Sequence, residues 1–330
     1  MTLLLNDDEV YRAIDMSALV EAIGAALGSD SADAAQVPER MNLTVDGRFF
    51  RVMPAIVPSD GLMGLKVFHG GGGVGVRYLI VLTSVTSGEV LSVLDACYLT
   101  AARTAATSVI AARAMGVDGK RVGVLGSGLE AETHIRAFAA AGAAEEIRVF
   151  SPNPERRTVL AERLRRDGVP ADIVPCASAE EACTDIDHLI TATNTGYGGP
   201  VACRSEWIAA ATHVTAIGST HQDLRELEPE VFRRAHTLVF DADPAQIGTE
   251  SGDVRAYLDE GGELSGVLTL TDILQGRTGQ AGRGAGDISI FKSVGTALQD
   301  MVAAGLAHRT ALATGTGTLV PELALPKTRR

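Results

Sequence analysis

An α/β architecture is predicted, with a Rossmann-type doubly wound parallel sheet in one domain and an α+β fold in the other, and three observations predict it. A glycine turn, Val122-Gly-Val-Leu-Gly126-Ser127-Gly128-Leu129-Glu-Ala131, joins a short apolar run to an amphipathic one. Beyond it, apolar runs of strand length alternate with helical stretches, as in a parallel sheet covered on both faces. Ahead of it, β-rich runs are broken by Gly and Asp, which suggests an antiparallel or mixed sheet. At 330 residues the chain is long enough for two cores.

The elements follow in order. Leu19, Val20, Ile23 and Leu27 line one face of a helix, with Asp15 or Ser17 placed to cap it. Between Met41 and Leu94, runs such as Phe49 to Val52 and Tyr78 to Leu82 read as strands. Gly70 to Gly75 is a permissive loop, either a hairpin tip or a segment held close to a ligand. The Ala-rich stretch from Leu99 to Met115 reads as a helix ended by Gly116, and Asp118-Gly119 leads into the glycine turn. The expected division is therefore a first domain of residues 1–117, completed by 290–330, and a second of 118–289. Strands are expected at Ile147 to Phe150, Ile173 to Pro175, Leu189 to Thr193, Val214 to Gly218 and Leu238 to Asp241. Residues 259–288 read as glycine-rich turns around a short helix at Leu270 to Leu274. A last helix is expected from Phe291 to Leu306, with Val294, Leu298 and Met301 on one stripe.

Composition excludes several classes of function. Lys and Arg total 29 against 41 Asp and Glu, and the net charge of −12 argues against nucleic-acid or anionic-membrane partners. The N-terminus has no basic segment before an apolar core, and no apolar run nears the ~20 residues of a membrane span, so the expected location is the cytoplasm. Cys97, Cys176, Cys183 and Cys203 show neither C-x-x-C spacing nor His at ligand intervals, so neither a metal site nor a disulfide is expected.

The glycine turn points to a dinucleotide. Gly126 permits the tight turn, Gly128 lets the backbone approach a pyrophosphate, and Ala131 allows helix and strand to pack closely. Ala131, Ile135 and Phe138 recur at helical spacing, so the helix N-terminus presents free N–H groups to the anion. Ser127 and Leu129 within the turn, with Thr193 and Gly218 at later strand ends, complete the expected contacts. In NAD enzymes an acidic residue about 20 positions on binds the ribose hydroxyls. Here Ser151-Pro-Asn153-Pro-Glu-Arg156-Arg157 offers a hydroxyl and guanidiniums instead, which favours NADP(H) and leaves NAD(H) possible.

Several segments together resemble the ornithine cyclodeaminase/mu-crystallin family over nearly the whole chain. They are Pro38-Glu-Arg40, Arg51-Val-Met-Pro54, Gly64-Leu-Lys66, Leu99-Thr-Ala-Ala-Arg103-Thr-Ala-Ala, the glycine turn, Arg225-Glu-Leu227, Glu250-Ser-Gly-Asp253 and Phe291-Lys-Ser-Val-Gly295. The resemblance implies that Arg40 and Arg103 bind the carboxylate of an amino or imino acid, and that Lys66 faces its nitrogen-bearing carbon. The side-chain chemistry is consistent with these roles, since a guanidinium grips a carboxylate bidentately and a buried lysine can titrate near neutral pH. The resemblance also implies a homodimer built through a first domain that binds substrate.

Two departures matter. Where cyclodeaminases carry an aspartate after the fifth strand of the nucleotide domain, this chain has Thr220, with Asp223 three positions later, the pattern of ketimine-reducing members. The expected activity is thus NADPH-dependent reduction of a small α-imino or α-keto acid, with Lys66, Thr220 and Asp223 at the chemistry. The alternatives are an ornithine or lysine cyclodeaminase, and a non-catalytic protein that binds NADPH or a small ligand. His221 is a further candidate proton donor. After Lys66 the chain runs Val-Phe-His69-Gly70 and on to Arg77, so His69 and Arg77 are candidates for an unusual pocket wall.

Overall fold

The computed structural model describes residues 1–29, 35–277 and 287–327. The chain divides into two compact units, Met1–Arg103 with Thr296–Arg330, and Thr104–Gly295. The glycine run beyond Arg277 lies outside the described residues.

The first unit opens with β1 (Thr2–Leu5), α1 (Asp7–Ala13) and α2 (Met16–Gly28). Asn6 and Glu9 form a capping box that starts α1, and Asp15, not Ser17, caps α2 by accepting from Ala18 N at 2.8 Å. Leu19, Val20, Ile23 and Leu27 are buried, as their spacing requires. A run of strands follows: β2 (Met41–Val45), β3 (Arg48–Val57), β4 (Leu62–Gly71), β5 (Val74–Ser84) and β6 (Val90–Asp95). The glycine segment is the tip of the β4–β5 hairpin, with Gly72 and Gly73 exposed and both at positive φ. Next, α3 (Cys97–Ala114) is buried along most of its length, its Ala and Thr side chains being small enough to allow close approach.

The boundary between units falls inside this helix, between Arg103 and Thr104, rather than after it. Ser108, one turn on, already hydrogen-bonds His134 of the second unit at 3.0 Å.

The second unit comprises β7 (Arg121–Leu125), α4 (Leu129–Ala140), β8 (Glu146–Phe150), α5 (Pro154–Arg166), β9 (Asp172–Pro175), α6 (Ala179–Cys183), β10 (His188–Thr191), β11 (His213–Ala216), α7 (Pro229–Arg234), β12 (Ala235–Phe240), α8 (Pro244–Glu250), α9 (Gly252–Asp259), β13 (Leu268–Thr269), α10 (Leu270–Leu274) and β14 (Ile288–Lys292). Among the described residues its eight strands are all parallel, in the order β13-β12-β14-β11-β10-β7-β8-β9. The order reverses between β7 and β10, the switch point of a doubly wound sheet, where ligands bind beyond the strand ends. Leu189, Val214, Phe232, Phe240 and Ile290 belong to its core.

The chain returns through α11 (Ala297–Thr314) and β15 (Thr318–Val320). The helix expected from Phe291 is corrected here: Ile288–Lys292 is a central strand, and the helix starts at Ala297. Val294, Leu298 and Met301 match a helical stripe by spacing, but Thr296 with Gln299 forms the capping box that sets the true start. The first unit's sheet runs β15-β1-β6-β5-β4-β3-β2, mixed in direction because β1 and β6 are parallel. α11 packs on α2, β3 and β4.

Candidate functional site

In the first unit the chemistry gathers around Lys66. It lies in the middle of β4, opposite Met53 on β3 and Ile80 on β5, and strand alternation buries it with Phe68 on the same face. Its ammonium contacts both oxygens of Asp300, at 2.8 and 2.7 Å. Asp300 sits near the start of α11 and also accepts from Arg103 Nε at 2.9 Å, while Arg103 Nη1 donates to Gln299 at 3.2 Å. One carboxylate therefore orients both the lysine and the arginine that the sequence singled out.

Burial pushes the Lys66 pKa down to about 7, the Arg103 and Arg40 charges push the same way, and Asp300 opposes them. Burial alone would raise Asp300, but Lys66 and Arg103 hold it below the usual carboxylate range. A lysine so placed can give or take a proton at neutral pH, whereas Arg103 stays charged. Arg40 is half-buried in the segment before β2.

A pH dependence follows. Folding lowers the Lys66 pKa from 10.5 to about 7, so between these values the unfolded chain holds the extra proton. Stability therefore rises with pH across that window, by at most ~1.4 kcal/mol per pH unit from this residue. Denaturant titrations at pH 7 and 9 should show wild type gaining on Lys66→Met as pH rises; parallel changes would contradict it.

His69 and Arg77 are excluded from this cluster. They pair across β4 and β5, one position out of phase with Phe68, and are exposed on the face opposite Lys66. His69 stacks on Phe50 instead, with ring centroids 6.3 Å apart.

The second unit carries the glycine turn. Gly126 has φ +131°, and a Cβ there would collide with the Ala192 carbonyl, so only glycine lets β7 turn into α4. Gly128 is the N-cap of α4 and makes no side-chain cap bond. The space where its Cβ would stand is open, Ser127 is half-buried and Leu129 is 42% exposed, so free amides and an apolar surface face outward. Ala131 is fully buried against the turn, its Cβ 3.4 Å from where a Gly126 Cβ would lie. This cradle fits a pyrophosphate on its amides.

At the end of β8, Ser151 is buried and donates to Asn153 O at 3.3 Å, and Asn153 caps α5 by accepting from Arg156 N at 3.1 Å. Arg157 folds back, donating to Ser151 O at 2.7 Å with its guanidinium over Phe150. Arg156 is exposed, and its guanidinium has no partner among the described residues.

Thr220 and Asp223 lie in the loop after β11. Thr220 N donates to Gly218 O at 3.1 Å, while Asp223 is exposed and 3.5 Å from His221, which packs against Tyr197. None of the four cysteines forms a disulfide. Among the described residues no group of three His, Cys, Asp or Glu is placed to hold a metal ion, and no helix is long and apolar enough to cross a membrane.

Sequence reasoning missed Asp300 and Gln299, and gave no role to Glu226, Asp253 or Lys292, all buried. The available signal was a Gln-Asp pair inside the Ala-rich run after Thr296, where a polar pair interrupts an otherwise apolar helix.

The chain is similar over most of its length to proteins of known sequence and structure. Mouse ketimine reductase mu-crystallin is 30% identical over 79% of this chain and 80% of its own length. The structure of Thermococcus litoralis Δ1-pyrroline-2-carboxylate reductase, in complex with NADH and L-proline, superimposes with a TM-score of 0.89 at 28% identity, covering 96% of this chain and all of that one. An archaeal alanine dehydrogenase dimer with bound NAD superimposes at 0.85, also 28% identical, over 97% of this chain and 99% of that one. The profile of the ornithine cyclodeaminase/mu-crystallin family matches residues 1–315, and the chain belongs to that family.

Proposed function

We propose that the protein is a nicotinamide-dependent reductase of a small α-imino or α-keto acid, of the cyclic-ketimine or amino-acid-dehydrogenase type. The observation that carries this function is the buried Lys66, held by Asp300 beside Arg103 with a pKa near 7. Support also comes from relatives named as a ketimine reductase and a pyrroline-2-carboxylate reductase.

Arg40 and Arg103 bind the substrate carboxylate, which fixes the prochiral carbon relative to the protein. Lys66 Nζ holds a proton for the substrate nitrogen as that atom gains charge; an α-keto acid enters as the imine it forms with ammonia, with loss of water. Asp300 keeps the ammonium aimed. A reduced dinucleotide, held by its pyrophosphate on the Gly126–Ala131 turn, would supply the hydride. Thr220 and Asp223 form the polar loop of the second unit and assist proton transfer. The net change adds one hydride to carbon and one proton to nitrogen.

The preferred cofactor is NADP(H). Arg156 is exposed beyond β8, and no carboxylate stands in Ser151-Pro-Asn153-Pro to receive ribose hydroxyls. Arg156→Ala is expected to raise the KM for NADPH about tenfold while leaving that for NADH unchanged, the loss of one charge-assisted phosphate contact. Equal changes for both cofactors would remove Arg156 from phosphate recognition.

The protein also acts as a homodimer. β2 is an edge strand with all five residues exposed, among them Met41, Leu43 and Val45, a surface that isolated monomers seldom leave open. Light scattering should report about twice the 34.4 kDa of one chain.

Reductase and cyclodeaminase separate in one experiment. Ornithine or lysine with catalytic NAD(P) should release no ammonia, because Thr220 replaces the cyclodeaminase aspartate. Ammonia release with neither net reduction nor net oxidation of the cofactor would establish cyclisation instead.

A further inference from the structure

The second unit contains a buried polar assembly that the glycine turn does not explain. Glu226 is buried in the segment between β11 and α7, and its carboxylate is saturated. One oxygen accepts from Thr193 N at 2.6 Å and Thr193 Oγ1 at 2.8 Å; the other accepts from Thr191 Oγ1 at 2.8 Å and Gly218 N at 2.7 Å. A carboxylate offers about four lone-pair sites, and here four donors fill them. The position of Gly218 depends on this group, because a Cβ there would collide with the Glu226 carboxylate and the Thr193 carbonyl.

The brace is itself held. Asp253 accepts from Glu226 N at 2.7 Å and Leu227 N at 3.0 Å, and its own amide donates to Ser219 Oγ at 3.1 Å. Lys292, the last residue of β14, donates to Ala216 O at 3.2 Å at the end of β11. Glu226 O in turn accepts from Ala202 N and Cys203 N, both at 2.9 Å. Burying three ionisable groups is costly, and simple stabilisation would be better served by apolar packing. What the assembly achieves is a fixed distance between two loops, those leaving β10 and β11.

These loops lie across the switch point from the glycine turn. In a doubly wound sheet the half with the glycine turn, here β7 and β8, takes the adenosine side of a dinucleotide, and the other half takes the second nucleotide. We infer that Glu226 is a positioning residue for the nicotinamide half of the cofactor: by tying Thr193 to Gly218 it sets the floor on which that ring and its ribose rest, with Asp253 fixing Glu226 in turn and Lys292 fixing the end of β11. The inference rests on the dinucleotide function proposed above, and goes beyond it by assigning the halves of the ligand to separate devices.

Glu226→Gln is a sharp probe. Each carboxylate oxygen receives one backbone N–H, so whichever way the amide is turned, its NH2 meets either Thr193 N–H or Gly218 N–H, donor against donor. Hydroxyls can rotate away, but backbone amides cannot. Binding of NADPH by fluorescence titration is expected to weaken at least tenfold in Glu226→Gln. Binding of adenosine 2′,5′-bisphosphate, which fills the adenosine side alone, is expected to stay within about twofold by calorimetry. Thr193→Val, which removes a single hydroxyl donor, should give the same selective loss at about threefold, and carries the comparison if Glu226→Gln does not fold. Equal losses for both ligands, or none for NADPH, would overturn the inference while leaving the dinucleotide function intact. Wild-type protein that binds neither NADPH nor NADH would overturn both.

Discussion

Lys66→Met is expected to lower kcat for reduction of a cyclic imino acid by about 10^2 to 10^4-fold, the usual worth of a positioned proton donor, while NADPH binding stays within about twofold. The substitution keeps the length of the side chain in β4 and removes the only atom that bonds Asp300 from this strand. The cofactor cradle lies in the other unit, on Gly126 to Ala131, so a loss confined to kcat separates proton transfer from folding and from dinucleotide binding. A kcat within about threefold of wild type would remove Lys66 from the chemistry.

Asp300→Ala is expected to destabilise the protein by about 3–5 kcal/mol in denaturant titrations, because it leaves Lys66 and Arg103 buried without their shared carboxylate. Asp300 is fully buried and bonds both groups, so no solvent replaces what is lost. Its charge is also what holds the Lys66 pKa up against burial. Asp300→Asn keeps the shape and should therefore shift the alkaline limb of the kcat/KM pH profile to lower pH, because the protonated Lys66 donor is lost earlier, an effect that loss of packing would not produce. A change below about 1 kcal/mol in Asp300→Ala would show that the pair is solvated and that the cluster does not depend on it.

Much of the architecture was legible because it is written in local patterns. The glycine turn needs Gly126 at a backbone angle barred to other residues, and alternating apolar runs at Ile147, Ile173, Leu189, Val214 and Leu238 mark buried parallel strands. Lys66 and Arg103 were identified by resemblance, since nothing in their spacing shows that they meet: they are brought together through Asp300, far along the chain. Asp300 and Gln299 escaped because a polar pair in an Ala-rich helix carries no period of its own, and because the stripe of Val294, Leu298 and Met301 masked the true helix start at Ala297. Glu226 escaped for a different reason. Its role depends on two strand ends meeting side by side, which only the order of strands in the sheet determines. His69 and Arg77 were misplaced by proximity in sequence, since one step along a strand moves a side chain to the opposite face.

The central claim joins an imino-acid site around Lys66 to a nicotinamide carrier, and its most direct test follows reduced nicotinamide as Δ1-pyrroline-2-carboxylate or its six-membered homologue is added. The expected result is consumption of NADPH matched one for one by the saturated cyclic amino acid, without ammonia. Tight NADPH binding with no oxidation on any cyclic imino acid, linear imino acid or α-keto acid would contradict the claim and leave a ligand-binding protein in its place.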